Sequence, residues 1–220
     1  MRTIVVGAGT VGSCVIALAA AERDEVVVIE SSPERAREVS REYDVTVLEA
    51  DATAGETLKD AGAETADAVV VTTSDDAVNL MVVSIAVQLG VPSVVSVVNE
   101  KGHADFFRRL KANVLQNPEE VVAAHLYNAA RRPRVHDFYA LPEDSQIFRL
   151  ELRTRSPLAG RTVSQAMQEA KLPDTLRIVA FLRGGKKALA TNDTPLRAGD
   201  LVTFYSLERV PDALITKLIG

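Results

Sequence analysis

Gly7-Ala8-Gly9-Thr10-Val11-Gly12 follows directly on the apolar run Thr3-Ile4-Val5-Val6, and a second apolar run, Val26-Val27-Val28-Ile29, closes on Glu30, eighteen residues past Gly12. The order is a strand, a glycine turn, a helix over about Val11 to Arg23, and a second strand ending in an acid. Each glycine answers a separate need: one turns the chain tightly, one lets backbone N–H groups approach a pyrophosphate, and one lets helix and strand pack closely. The helix aims its unsatisfied N–H groups and positive dipole end at the turn, where phosphates would rest. Glu30 is placed to accept hydrogen bonds from adenosine ribose hydroxyls. A tight turn without a ligand is the competing reading, and the shared register of strand, helix and acid disfavours it.

The same residues discriminate among nucleotides. A 2′-phosphate would lie against the Glu30 carboxylate, and the residues that follow are Ser31 and Ser32 rather than arginine, so NADP is disfavoured. Arg35 and Arg37, further along the next helix, read as a solvated face.

Composition sets the wider bounds. Of the 220 residues, 47% are hydrophobic and 25% charged, which is ordinary for a globular chain of one large or two modest domains. The most apolar stretch, residues 80–89, is ten residues long, well short of the roughly 20 that span a bilayer. Met1-Arg2-Thr3 runs straight into a strand, leaving no room for a signal peptide, and a cytoplasmic location is expected. Cys14 is the sole cysteine, so no disulfide framework or thiolate cluster is available, and its place on the first helix reads as a small buried hydrophobe. Net charge is −5 but uneven: residues 1–146 hold 13 Lys+Arg against 23 Asp+Glu, and residues 147–220 hold 12 against 7. The basic part fits an anionic ligand or acidic partner as well as a plain solvated face. Its basic residues are scattered without interleaved aromatics, which argues against nucleic acid.

Beyond Glu30 the alternation continues. Ser32-Pro33 caps and opens a helix carrying Ala36, Val39 and Tyr43 on one face. There follow a strand at about 45–48, a short helix near 56–61, a strand at 68–72, a helix at 76–89 ended by Gly90, and a strand at 93–98. Residues 101–111 read as a helix, 113–115 as a sixth strand, and Asn117-Pro118 as the start of a helix to about Arg131. Unbroken Val-rich strands indicate a parallel sheet covered on both faces, the doubly wound α/β class. The expected division is a Rossmann nucleotide-binding domain over 1–133, a linker over 134–144 with irregularity around Pro142, and a small α+β domain over 145–220. The last contains a strand (146–152), a helix (164–170), a hairpin about Gly184-Gly185, a strand (200–205) and a final helix opened at Pro211.

In their order and spacing, Val6 to Gly12, Val28-Ile29-Glu30, Asp51-Ala52-Thr53, Thr72 to Leu80, Ser156-Pro157-Leu158-Ala159-Gly160 and Leu196-Arg197-Ala198-Gly199-Asp200 resemble those of the regulator of K⁺ conductance (RCK) family. The likeness is to its Trk/Ktr-type potassium-uptake regulatory subunits, with TrkA-N and TrkA-C domains, over essentially the whole chain. The resemblance implies ligand-gated regulation: nucleotide binding shifts the geometry of a homodimer or higher ring, and the movement passes to an integral-membrane potassium transporter or channel. It implies that Asp51 and Ala52 flank the adenine and that Thr72, Thr73 and Ser74 line the second half of the crevice. The chain departs from the usual glycine before that Asp by carrying Ala50. Thr10 stands where ATP- or ADP-responsive relatives tend to carry a basic residue, which favours NAD(H) over ATP or ADP. Asp75 and Asp76 look functional in the family, and they equally suit the start of a helix. Some relatives imply a second small ligand, such as a cyclic dinucleotide, on the C-terminal domain.

No catalytic constellation is visible. His103, His125 and His136 fall on a helix start, a helix middle and the linker, Tyr127 is followed by Arg131 rather than a lysine four residues on, and no G-x-S-x-G, H-E-x-x-H or Walker loop occurs. The leading expectation is a regulatory nucleotide-binding module, the alternative a small NAD-dependent oxidoreductase. The helix from Pro118 is apolar around much of its circumference, which suits either a dimer crossover or burial within its own protomer.

Overall fold

Six strands alternate with helices in the computed structural model, which describes residues 1–141 and 143–220. They are β1 (Arg2–Val6), β2 (Glu25–Glu30), β3 (Thr46–Glu49), β4 (Ala68–Val71), β5 (Ser93–Val98) and β6 (Asn113–Gln116). All pair in parallel in the order β3-β2-β1-β4-β5-β6. The intervening helices are α1 (Thr10–Ala21), α2 (Pro33–Glu42), α3 (Thr57–Asp60), α4 (Asp76–Gln88) and α5 (Ala104–Arg109), and α6 (Pro118–Arg131) follows β6. The strands are apolar along their whole length because successive side chains enter different cores. Ile4, Val6, Val27, Ile29, Val69 and Val71 pack with Leu58, Val82, Val83 and Phe107 on one face, whereas Val5, Val26 and Val28 pack with Ile16 and Val39 on the other. The chain runs outward from β1 to β3 and then returns to start again at β4, so the strand order reverses between β1 and β4. A crevice opens at such a point, outside the carboxyl ends of the strands.

Residues 1–120 form one compact unit and 121–220 another. The second unit carries an antiparallel sheet in the order β10-β9-β11-β8-β7, made of β7 (Val135–Ala140), β8 (Gln146–Glu151), β9 (Leu176–Arg183), β10 (Lys186–Leu189) and β11 (Leu201–Ser206). Two helices, α7 (Val163–Glu169) and α8 (Asp212–Ile219), accompany it. Its core centres on Phe148 and Phe204, stacked at 5.2 Å, with Leu150, Leu158, Leu196 and Leu218 around them. Gly184 and Gly185 turn the β9–β10 hairpin at φ +52° and +80°, a pair of left-handed conformations suited to glycine.

Three expectations are corrected here. The stretch 134–144, read as a linker, contains β7, which pairs with β8 at the edge of the sheet; Pro142 lies outside the described residues. A register shift between His136 and Tyr139, with Asp137 at φ +47°, breaks the strand's alternation and hid it from the sequence pattern. Residues 101–111 do not form one helix: a 3₁₀ turn at Lys101–His103 precedes the six-residue α5. Burial of the α6 helix within its own protomer does not occur, since none of its residues is buried. No helix among the described residues is long and apolar enough to cross a membrane.

Candidate functional site

The three glycines of the first loop separate cleanly by what a side chain would meet. Gly7 stands at φ +89°, where L side chains are strained, and its N–H donates to the Ile29 carbonyl at 2.9 Å. A Cβ on Gly12 would lie 1.9 Å from the Gly7 carbonyl oxygen and 2.7 Å from Thr72 Oγ1, so this position holds helix α1 against the loop. A Cβ on Gly9 would meet nothing within 4 Å. Gly9 is also the N-cap of α1, with φ −70° and no side-chain cap, and the first turn of α1 contains no acid. By contrast, Ser32 caps α2 and Asp75 caps α4. The amino end of α1 therefore presents backbone donors to open space, and no part of the protein's own packing requires that Gly9 lack a side chain.

Glu30, at the end of β2, is only 3% exposed. Its Oε2 accepts the Ala8 N–H at 2.6 Å and its Oε1 accepts the Ser32 N–H at 2.7 Å, so backbone on both sides fixes the carboxylate at the floor of the crevice. Each oxygen retains acceptor capacity for a further donor. Arg35, expected on a solvated face, is 52% exposed and also brings Nη2 to 3.4 Å from Glu30 Oε1 at the crevice lining, because α2 begins three residues after the acid. Cys14, expected to be buried, is exposed on α1.

Across the switch point, the Thr72 hydroxyl donates to the carbonyls of Val6 at 3.0 Å and Gly7 at 2.8 Å and ties the β4 end to the glycine loop. Asn79, fully buried, accepts from the Thr73 N–H at 3.2 Å and hydroxyl at 2.6 Å and donates to the Thr73 and Val97 carbonyls. Thr72 and Thr73 thus shape the crevice with hydroxyls already engaged. Asp75 caps α4 through Ala77 and Val78 N–H. Asp76 turns the other way: it accepts from the N–H groups of Asn99 and Glu100, from Asn99 Nδ2 and from His103 Nδ1, all at 2.8 to 2.9 Å. Burial opposes its ionisation, and those hydrogen bonds outweigh burial and hold the carboxyl below its ordinary value. The helix-start reading holds for Asp75, while Asp76 organises the β5–α5 turn, a role that sequence position did not reveal.

These elements enclose a cavity of about 640 Å³. Of the expected site residues, Gly7, Gly9, Thr10, Val11, Glu30, Ser31, Asp51, Ala52, Thr72, Thr73 and Ser74 line it. Ala8 and Gly12 do not: Ala8 holds Glu30 from behind, and Gly12 packs on Gly7. Asp51, beside the cavity rim, accepts the Thr53 N–H and hydroxyl; these bonds outweigh the opposing effect of burial and lower its pKa. Sequence reasoning missed Arg35, Asn99, Pro118 and Glu119 as lining residues. Asn99 and Pro118 follow the carboxyl ends of β5 and β6, and the rule that ligands lie beyond strand ends was the available signal.

In the second unit, the quoted motifs serve packing. Ser156 donates to the Leu218 carbonyl at 2.6 Å and anchors α8. Asp200, 1% exposed, receives Arg183 through both carboxylate oxygens and the Arg197 N–H. Burial opposes ionisation of Asp200, and Arg183 with the Arg197 N–H more than offsets it, keeping the carboxyl below its usual range.

Comparison with known proteins bears on this geometry. The TrkA-N domain model matches residues 3–118, more than half of the chain. The chain belongs to the TrkA-N family. The TrkA-C domain model matches residues 147–208, so the second unit carries the companion domain. The Trk system potassium uptake protein TrkA of Azorhizobium caulinodans is 30% identical over 94% of the chain, which spans only 45% of that protein's length. A TrkA homolog from Pyrococcus abyssi is 26% identical, covering 96% of the chain and 95% of the relative. Among solved structures, the GsuK channel bound to NAD superposes over the whole chain at a TM-score of 0.66 and 17% identity, covering 39% of the channel chain, a likeness of fold. GsuK bound to ADP matches 60% of the chain and 34% of that chain at 26% identity, with a TM-score of 0.51.

Proposed function

We propose that this chain is a nucleotide-sensing regulatory subunit that binds an adenine dinucleotide of the NAD(H) class and controls a potassium transporter or channel at the cytoplasmic face of a membrane. The observation that carries this reading is Gly9: its missing side chain has no internal explanation and leaves the uncapped amino end of α1 open to a crevice floored by a backbone-clamped Glu30. In this reading Gly7, Gly9, Thr10 and Val11 meet the diphosphate and Glu30 the adenosine ribose. Asp51 and Ala52 flank the adenine, and Thr72, Thr73 and Ser74 border the second nucleoside. Ala8 and Gly12 shape the loop. ATP or ADP would use the same phosphate cradle, and the solved NAD and ADP complexes of GsuK support that breadth. Against NADP stands the buried carboxylate of Glu30.

Regulation rather than turnover is supported by the residues over β4 to β6, which are Thr, Ser, Asp, Val, Asn, Pro and Glu, with no histidine, tyrosine or lysine to polarise a carbonyl among the described lining residues. The potassium uptake proteins to which the chain is similar supply the partner class. Exposed Val121, Val122, Leu126 and Tyr127 on α6 support a homodimer or larger ring. Calorimetry with NAD, NADH, ATP, ADP and a cyclic dinucleotide, on the parent and on Gly9→Val, tests the reading. Binding of NAD or NADH that Gly9→Val abolishes is expected; equal binding by that variant moves the phosphate site elsewhere. Consumption of NADH with a carbonyl substrate would favour the oxidoreductase.

A further inference from the structure

The crevice is electrically lopsided. Strand order places Glu30, Asp51 and Arg35 in the half over β1 to β3, and Asp75 and Glu119 in the half over β4 to β6, where the described lining residues contain no Lys, Arg or His. The neighbouring acids are otherwise engaged. Glu120, in the same turn as Glu119, pairs with Lys101 at 2.7 Å, and Asp76 is directed to Asn99, Glu100 and His103. A dinucleotide with its adenosine ribose on Glu30 and its diphosphate at α1 must carry its second nucleoside over the β4–β6 half.

Resting on the nucleotide reading above, we propose that Asp75 and Glu119 make this half read the charge of the nicotinamide ring, so that the crevice takes the oxidised dinucleotide in preference to the reduced one. The two forms share size, diphosphate and hydrogen-bonding amide; the oxidised ring is a cationic pyridinium and the reduced ring a neutral dihydropyridine. Charge is therefore the property that fixed carboxylates distinguish. Asp75 is held in place by its cap bonds to Ala77 and Val78 N–H. The positive amino end of α4 offsets part of its field, and solvent and salt screen both acids, which leaves roughly a five- to tenfold preference for two carboxylates several ångströms from a unit charge.

Calorimetric titration of NAD+, NADH and ADP into the intact chain, at low and raised salt, tests this, with Asp75→Asn, Glu119→Gln and the double variant alongside. Asparagine retains the cap, so the comparison isolates charge. The expected result is NAD+ about fivefold or more tighter than NADH, a ratio that contracts toward one in the double variant and at raised salt. Equal affinities in the parent, tighter NADH, or a ratio that survives the double substitution would overturn the inference while leaving nucleotide binding intact. Absence of binding by all three ligands would overturn it together with the nucleotide reading, and ADP distinguishes the two failures.

Discussion

Replacing Gly9 and Gly12 separately by alanine divides ligand binding from folding. At Gly12 the added methyl would sit 1.9 Å from the Gly7 carbonyl oxygen and 2.9 Å from its carbon, so backbone must move. Such overpacking costs about 1–3 kcal/mol, and the gain in helix propensity returns at most about 1 kcal/mol. With that return the net loss is up to about 2 kcal/mol, a fall in melting temperature of up to roughly 8 °C for a chain of this size. At Gly9 the methyl enters open space at an ordinary φ. Alanine is a poorer N-cap than glycine by up to about 1 kcal/mol, and the reduced entropy of the unfolded chain returns a similar amount. The melting temperature without ligand therefore stays within a few degrees of the parent. Its binding does not: a methyl over the first turn of α1 keeps phosphate from one or two backbone donors, each worth about 1.5–3 kcal/mol to a charged acceptor, so NAD affinity falls at least about tenfold. Thermal unfolding with and without nucleotide, together with calorimetry, reads both effects. A Gly9→Ala protein that binds as the parent does, or one that loses stability as Gly12→Ala does, would refute this division of roles.

Three further outcomes follow from particular contacts. Glu30→Gln, which puts an amide where Oε1 or Oε2 accepts a buried N–H, is expected to lower stability by about 1–3 kcal/mol and, with Arg35 no longer neutralised, to narrow the gap between NAD and NADP affinities; an unchanged ratio in paired titrations counts against Arg35 as a crevice residue. Asp200 has its folded pKa depressed, so its contribution is complete above the unfolded value near about 4 and is lost as pH falls through the lower folded value. Acid unfolding followed by circular dichroism should accordingly be less steep below about pH 4 in Asp200→Asn, which is less stable than the parent at neutral pH. Val122→Glu with Leu126→Glu alters residues 58% and 63% exposed on one face of α6, so folding should persist while sedimentation shifts from dimer or ring to monomer; an unshifted sedimentation profile places the assembly surface elsewhere.

The first unit was legible because its signals agree at several levels. Valine runs, glycine turns and caps at Ser32 and Asp75 all point to one parallel sheet, and the glycine loop with Glu30 marks the switch point without reference to tertiary contacts. What escaped depends on geometry that spacing does not encode. Arg35 is the helix-surface residue it reads as, and its contact with Glu30 emerges only when α2 is seen to start beside the carboxylate. Cys14 reads as core because small apolar neighbours surround it in sequence, while the rotation of α1 turns it outward. In β7 only Phe138 is buried, and the register shift beside it erases the two-residue period. The pins of the crevice, Asn79 to Thr73 and Asp76 to Asn99, join the start of α4 to the residues just past β4 and β5, a packing of helix on strand ends that spacing does not encode.

The most direct test is a crystal structure of the chain grown with NAD. The diphosphate is expected against the amino end of α1 at Gly9, Thr10 and Val11, with the adenosine ribose on Glu30 and the nicotinamide end toward Asp75. Nucleotide density lodged anywhere else, with the Gly9 crevice free of phosphate, would contradict the account.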